Sequence, residues 1–146
     1  MTRLPKDFRD FLQLLNEHDV NYLLIGGYAV GYHGYPRATA DIDIWIEPEK
    51  ITAEKIVGVL SDFGFDRNSI SEEFFLQRDK IIRLGNPPLR IEIQMSISGV
   101  EFDSCYNERV EDKIDGIPVK IISLKNLKIN KKAANRHKDL DDLEKL

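Results

Sequence analysis

The chain has 146 residues, of which 42% are hydrophobic and 32% are charged, so the composition predicts one globular domain over residues 1–146 and excludes a disordered segment. No apolar stretch approaches the roughly 20 residues that cross a bilayer, and the first residues lack the apolar core of a signal peptide. Cys105 is the only cysteine, which excludes an internal disulfide and favours a cytoplasmic location. The net charge of −4 argues against a general nucleic-acid coat protein.

The first half of the sequence predicts helices that alternate with strands. Apolar residues spaced three and four apart predict a first helix from Pro5 to Glu17. The segment NYLLIG predicts a short buried strand that ends at Gly26–Gly27, and a short helix over Tyr28–Tyr32 follows it. The segment DIDIWIE predicts a second strand, and TAEKIVGVLSDFG predicts a helix that ends at Gly64.

The second half is richer in predicted strands. The segments KIIRLG and LRIEIQMSI predict two strands joined by a turn at Gly85–Pro88. The Asp–Gly pair in IDGIPVKIIS predicts a turn before a strand over Val119–Ile122. Ser123 then caps a predicted helix, LKNLKINKKAAN, and KDLDDLEKL either continues this helix or forms a last one after Arg136. This succession predicts an α/β (α+β) fold, a mixed β-sheet with flanking helices.

Asp41 and Asp43 stand two residues apart in a predicted strand, so their side chains project from the same face. Carboxylates this close repel each other and raise each other's pKa unless a cation lies between them. Glu92 alternates with Ile91 and Ile93 in the same way, so a neighbouring strand would bring a third carboxylate to the same patch. Three converging carboxylates predict a site for Mg²⁺, which prefers oxygen ligands. The alternative is an ordinary half-solvated strand.

Residues before the acid pair suggest phosphate binding. Gly26–Gly27 ends a strand and opens a helix, a place where backbone N–H groups can receive a phosphate. Arg37 and Thr39 stand just before the acids, and the guanidinium of Arg37 has the fork geometry that grips phosphate oxygens.

A basic segment lies near the C-terminus. Residues Lys120–Lys138 include seven Lys or Arg and no acid. On a continuous helix Lys132 and Arg136 would share a face and form a clamp for a phosphate or an RNA backbone. The alternatives are a solvated helix face, or an Arg136 that pairs with Asp139 or Asp142.

The glycine pair, the array Asp41–Ile42–Asp43 and a third acid on a later strand resemble the nucleotidyltransferase superfamily of the DNA polymerase β type. The stretch GGYAVGYHGYPRATADIDIWI is similar to small bacterial members, the aminoglycoside and lincosamide nucleotidyltransferases and the abortive-infection type of toxin–antitoxin systems. The tail NLKINKKAANRHKDLDDLEKL resembles the close of the abortive-infection type. The resemblance covers residues Tyr22–Leu146. The sequence departs from many members at Gly27, where Ser is common, and at Glu92, where Asp is commoner.

This resemblance implies an enzyme that moves a nucleoside monophosphate from an NTP to an acceptor hydroxyl and releases pyrophosphate. Asp41, Asp43 and Glu92 would be the catalytic acids and would bind Mg²⁺ or possibly Mn²⁺, and Glu92 would also act as a general base or position the acceptor hydroxyl. The nucleotide would contact residues of both the glycine segment and the basic segment: Gly26, Gly27, Arg37, Thr39, Lys132 and Arg136.

The acceptor stays open among a small molecule, a protein side chain and a tRNA end. A partner protein or a second copy of the chain would supply acceptor recognition, and no membrane partner is expected. The alternative function is a toxin–antitoxin component that keeps the nucleotidyltransferase fold and acts by binding a nucleotide or a protein, without turnover.

Overall fold

A computed structural model describes residues 3–36, 39–85 and 89–146 of the chain. The helices of these residues are α1 Lys6–Glu17, α2 Gly26–Tyr32, α3 Lys50–Phe63, α4 Phe102–Asn107, α5 Leu124–Ala134 and α6 His137–Lys145. The strands are β1 Tyr22–Ile25, β2 Asp41–Ile46, β3 Ile81–Leu84, β4 Arg90–Gln94, β5 Val110–Ile114 and β6 Ile117–Ile121. Two short 3-10 helices, Arg67–Ser69 and Glu72–Phe75, lie between α3 and β3.

The six strands of the described residues form one mixed sheet in the order β3-β4-β2-β1-β6-β5. Strand β1 is antiparallel to β2 and parallel to β6, and β2 is parallel to β4. Both outer pairs, β3 with β4 and β5 with β6, are antiparallel. The mixed sheet with flanking helices confirms the predicted fold class. The parallel register of β2 and β4 places Asp43 directly opposite Glu92 and thereby positions the acids.

The hydrophobic core packs the helices against the sheet, and the central strand β1 is buried on both of its faces. Helix α1 buries the four apolar residues of its predicted stripe, Phe8, Phe11, Leu12 and Leu15. In β2 the isoleucines between the acids are fully buried, while the two acids are partly exposed on the opposite face. The alternation of the sequence thus separates a core face from a polar face, because successive residues of a strand point to opposite sides. The thiol of Cys105 is buried.

Helix α2 begins at Gly26, two residues before the predicted start. Gly26 has φ +68°, a left-handed conformation that glycine adopts at little cost. The chain therefore passes from β1 into α2 without an intervening loop.

The basic segment does not form one continuous helix. Helix α5 ends at Ala134, Asn135 takes a left-handed conformation with φ 55°, and Arg136 caps the start of α6. The prediction that Lys132 and Arg136 share a face of a continuous helix is therefore wrong, because the turn at Asn135 redirects the chain. The other prediction, a separate last helix after Arg136, is confirmed.

Three further points bear on the predictions. Strand β5 and helix α4 were not predicted from the sequence. Strands β3 and β4 are antiparallel, as expected, and residues 86–88 of the turn predicted between them lie outside the described residues. None of the helices in the described ranges is long and apolar enough to cross a membrane.

Candidate functional site

A cleft of about 820 Å³ lies over the polar face of β2 and β4, and we call it the acidic cleft. Its volume falls in the range of small-molecule sites. Three acids line it, and so do residues from α2, β3 and the C-terminal helices α5 and α6. The lining residues used below are Gly26, Gly27, Thr39, Asp41, Asp43, Arg83, Arg90, Glu92, Gln94, Lys131, Arg136 and Lys138.

The side chains of Asp41 and Glu92 each pair with an arginine of the cleft. Arg90 Nε donates to Asp41 Oδ1 at 3.3 Å, and Arg83 Nε donates to Glu92 Oε1 at 3.0 Å. Asp43 accepts a longer hydrogen bond, 3.4 Å, from Gln94 Nε2. The two ion pairs connect neighbouring strands, because Arg90 lies opposite Asp41 and Arg83 lies opposite Glu92 in the sheet register.

The three acids of the cleft share one patch but are not gathered around one point. In the described part of the chain, the only three acidic side chains with oxygens all within 4.8 Å of one another are Glu47, Glu49 and Asp103, which do not line the cleft. The tighter convergence expected of Asp41, Asp43 and Glu92 is therefore not present in this structure. Asp41 and Glu92 are each turned to an arginine, whereas Asp43 lies beside Glu92 and Gln94.

The surroundings of Asp43 disfavour its ionised form. Burial, a hydrogen bond with Glu92 and the charges of Glu92 and Asp41 together raise the pKa of Asp43 to about 7, and the charge of Lys138 opposes this rise. Burial also raises the pKa of Glu92, but hydrogen bonds with Asp43 and Arg83 outweigh it and lower the pKa below its usual value. At neutral pH the cleft thus holds a carboxyl group that a nearby cation would help to ionise.

The glycine pair packs directly against the segment that carries the acids. A Cβ on Gly26 would overlap Asp43 Oδ2, and a Cβ on Gly27 would lie 2.8 Å from Thr39 Oγ1. Thr39 Oγ1 in turn donates to the backbone carbonyl of Asp41 at 3.1 Å. Only glycines therefore allow the start of α2 to lie this close to β2. Arg37, the predicted phosphate ligand of this segment, lies outside the described residues.

The C-terminal helices supply further basic side chains of the cleft, beside Arg83 and Arg90 of the sheet. Arg136 and Lys138 line the cleft, whereas Lys132 is exposed and is not among the described residues that do so. Arg136 donates to Asp139 through Nε at 2.6 Å and through Nη2 at 3.2 Å, the pairing that the sequence left open as an alternative.

A buried ionic cluster lies beside these basic residues. We call Lys131, Arg136, Asp139 and Asp142 the C-terminal cluster, and the basic side chains of α5 and α6 the basic wall of the cleft. Lys131 is only 4% exposed, and its Nζ lies 3.1 Å from both Asp139 Oδ1 and Asp142 Oδ2. Burial raises the pKa of Asp139, but the hydrogen bonds from Arg136 and Lys131 outweigh it and hold the pKa below its usual range. The cluster joins α5 to α6 and fixes the wall of the cleft.

Sequence reasoning missed several residues of the cleft. Arg90 alternates with the core residues of β4 as Glu92 and Gln94 do, so strand periodicity places it on the polar face. Arg83 has no such signal, because apolar residues stand on both faces of β3. Lys131 and Lys138 had no such signal, because their position depends on the turn between α5 and α6.

The fold and the cleft together define a class of protein. A mixed sheet with two acids on one strand, a third acid on its parallel neighbour and a glycine pair beside them is the arrangement of polymerase β-type nucleotidyltransferases. The family profile described as "Nucleotidyltransferase of unknown function (DUF6036)" matches residues 2–146. The chain belongs to this family.

A solved structure supports the fold. The chain is similar to the crystal structure of a "putative nucleotidyltransferase (TM1012)" from Thermotoga maritima, with a TM-score of 0.58 and 16% sequence identity. The similarity covers 94% of this chain and 86% of the other. The comparison with curated proteins found no match.

Proposed function

We propose that the chain is a divalent-metal-dependent nucleotidyltransferase that moves a nucleoside monophosphate from an NTP to an acceptor hydroxyl and releases pyrophosphate. The observation that carries this proposal is the lining of the acidic cleft. Asp41, Asp43 and Glu92 face the same space as the glycine pair and the basic residues of α6. One cleft therefore offers ligands for a cation and for phosphate oxygens.

The donor set of the cleft fits Mg²⁺ or Mn²⁺. Carboxylate oxygens are the ligands that these ions take in phosphoryl-transfer sites. The raised pKa of Asp43 points the same way, because a bound cation would replace the proton that burial and the neighbouring acids favour. We assign Asp41, Asp43 and Glu92 as the residues that would hold the metal. When bound, the ion supplies positive charge that stabilises the charge developing on the transferred phosphate.

Protein groups would bind and orient the nucleotide. We assign the backbone of Gly26 and Gly27 to the triphosphate, with Thr39 fixing the segment that precedes Asp41. Arg37 stays a proposed phosphate ligand on its sequence position. Arg136 and Lys132 stay proposed nucleotide contacts, although Arg136 is already paired with Asp139 and Lys132 lies outside the cleft lining.

We assign Glu92 to holding the metal, and either to positioning the acceptor hydroxyl or to taking its proton. In the structure Glu92 contacts Arg83, whose guanidinium holds the pKa of this carboxyl below its usual value. The acceptor, whether a small molecule, a protein side chain or a tRNA, remains to be identified. The toxin–antitoxin alternative, binding without turnover, gains no support from the cleft, where all three acids are present.

Calorimetric titration of ATP, GTP, CTP and UTP, with and without Mg²⁺, tests this proposal. We expect at least one NTP to bind only when Mg²⁺ is present, and Asp43→Asn to abolish that binding. Asp103→Asn is the matched control, because it removes an acid of the separate Glu47, Glu49 and Asp103 group. Binding that is independent of Mg²⁺, or that Asp103→Asn removes as fully as Asp43→Asn does, would contradict the proposal.

A further inference from the structure

The two arginines of the cleft have no role in the activity proposed above. Arg83 and Arg90 project from β3 and β4 onto the same polar face as the acids, and each donates to a carboxylate assigned to the metal. Arg90 uses two nitrogens, with Nε 3.3 Å from Asp41 Oδ1 and Nη2 3.5 Å from Asp41 Oδ2. A guanidinium that engages both oxygens of a carboxylate occupies the positions that a metal ion needs.

The Arg83–Glu92 and Arg90–Asp41 ion pairs are partly exposed to solvent. The side chains of Arg83 and Arg90 are 55% and 37% exposed, whereas those of Glu92 and Asp41 are 14% and 30% exposed. Exposed ion pairs contribute little net free energy, so a divalent cation can displace the arginine at modest cost. In both pairs the arginine is thus the more exposed partner and the acid the more buried one.

Once the arginines leave the carboxylates, a phosphate is the anion that they can bind in the cleft. Lys131 and Arg136 are already neutralised by the buried Asp139 and Asp142. Among the described residues that line the cleft, Lys138 and the two arginines then remain to balance the three acids. A metal ion that takes over the acids releases the arginines, and the oxyanions that enter the cleft with the metal are phosphates. Guanidinium forms two-pronged contacts with phosphate as readily as with carboxylate.

We infer that Arg83 and Arg90 are exchangeable counter-ions: they hold Glu92 and Asp41 before ligand binding, compete with the divalent cation for those carboxylates, and bind the triphosphate once they are displaced. This inference rests on the proposed function for the identity of its ligands. It assigns the two arginines as positioning residues for the metal and as contacts for the nucleotide. It also makes metal and NTP binding cooperative. The metal frees the arginines to bind the triphosphate, and the triphosphate keeps the arginines away from the carboxylates that hold the metal.

The inference predicts opposite effects on two affinities from one substitution. Arg83→Gln and Arg90→Gln keep most of the side-chain length and remove the charge. We expect each variant to bind Mn²⁺ roughly three- to tenfold more tightly in the absence of nucleotide, since a competing cation is gone. We expect the same variants to bind NTP in saturating Mg²⁺ roughly three- to tenfold more weakly. A merely structural role would lower both affinities together.

Free Mn²⁺ measured by electron paramagnetic resonance gives the metal affinity, and calorimetry with the four NTPs gives the nucleotide affinity. Arg9→Gln is the matched control. Its ion pair with Asp115 has side-chain exposures of 37% and 22%, close to those of Arg90 and Asp41, and it lies away from the cleft lining. We expect Arg9→Gln to change neither affinity.

Two further variants locate the effect. Arg90→Lys restores the charge, so its Mn²⁺ affinity should return close to wild type, while its NTP affinity should recover only in part. The double variant Asp43→Asn with Arg90→Gln should lose the gain in Mn²⁺ affinity if the ion binds in the acidic cleft. Thermal melting of each variant verifies that it is folded at the temperature of the titrations.

The outcomes separate the inference from the proposed function. A wild-type protein that binds Mn²⁺ and NTP, with Gln variants whose Mn²⁺ affinity is unchanged or weaker, overturns the inference and leaves the function standing. A gain in Mn²⁺ affinity that persists in the double variant also overturns it, because the ion then binds elsewhere. A wild-type protein that binds no NTP under any condition overturns the proposed function, whatever the arginine variants do with Mn²⁺.

Discussion

The acidic cleft and the C-terminal cluster lie next to each other, and they shift the pKa values of their acids in opposite directions. In the C-terminal cluster, Asp139 and Asp142 are 0% and 1% exposed and are matched by Lys131 and Arg136. In the cleft, Asp43 is half-buried beside two other acids, and its pKa rises to about 7. The pKa of Asp139, by contrast, lies below its usual range.

This difference distinguishes charges that hold the fold together from charges that await a ligand. A buried carboxylate with a lowered pKa has its partners in the protein, and removal of one partner damages the fold. A buried carboxylate with a raised pKa lacks a cation, and its ionisation costs stability until one arrives. The same residue type therefore predicts opposite responses to mutation at the two places.

The largest expected effect is at the centre of the C-terminal cluster. Lys131→Met leaves the carboxylates of Asp139 and Asp142 buried together with one cation fewer, which should lower the free energy of unfolding by about 3–5 kcal/mol. Urea denaturation followed by circular dichroism measures the change. Lys132→Met, at the next and exposed position, should change it by less than about 0.5 kcal/mol. Similar losses of unfolding free energy in both variants would show that the C-terminal cluster does not stabilise the packing of α5 on α6.

An intermediate effect of opposite sign is expected at Asp43. Because its folded pKa is about 7 and its unfolded pKa is near 3.8, the folded state binds the proton more tightly, so this group lowers stability as pH rises from about 4 to 7. Above that window the cost is complete. The full shift corresponds to about 4 kcal/mol, and the partial solvent exposure of Asp43 reduces the effect. Asp43→Asn should therefore be more stable than wild type at pH 8, by about 2 kcal/mol without metal, and the difference should shrink towards pH 5.

Thermal or urea unfolding at pH 5 and pH 8 measures this difference. The depressed pKa of Asp139 works in the other direction, since its contribution is present above the unfolded pKa of about 3.8 and is lost as pH falls below that value. The prediction fails if the difference in stability between Asp43→Asn and the wild type is the same at pH 5 and pH 8. Asp43 would then not differ from the acids of the C-terminal cluster.

The smallest effect is expected where the two regions meet. Arg136 contacts Asp139 but its side chain is 60% exposed, so solvent weakens the pair. Arg136→Gln should lower the free energy of unfolding by about 1 kcal/mol, because it removes charge-assisted hydrogen bonds at the start of α6. Lys145→Gln, which breaks an exposed pair with Asp141, is the control and should cause no measurable change. A loss at Arg136 as large as that at Lys131 would show that exposure does not weaken this pair.

Local patterns were enough to predict the central sheet and the polar face of its inner strands. The alternation of acids with isoleucines in β2 and β4 is strong, and the glycine pair marks the end of β1. Strand β5 was missed because three of its five residues are exposed, so it has no apolar alternation to detect. Its place at the sheet edge comes from pairing with β6 rather than from its own sequence.

The basic wall of the cleft was harder to predict than its acids. Lys131 and Lys132 are adjacent and chemically identical, yet one is buried and one is exposed. Lys131 follows the buried Leu127 by four residues and shares its face of α5, whereas Lys132 points about 100° away. The left-handed turn at Asn135 then sets how α6 packs over that face. Contacts between side chains on different elements depend on such angles, and neither residue type nor spacing encodes them locally. Arg90, in contrast, could have been placed on the polar face from the alternation in β4, although it was not among the predicted site residues.

The position of β1 has a consequence for how the chain acquires its fold during synthesis. β1 lies between β2 and β6, and Leu24 pairs with Ile121. One edge of β1 therefore stays without its neighbour until Ile121 has left the ribosome, although β2 becomes available much earlier. Pairings between distant segments form slowly, and an unpaired strand edge can associate with other chains in the meantime. A nascent chain that is stalled before β6 is thus the species of this protein most in need of a chaperone.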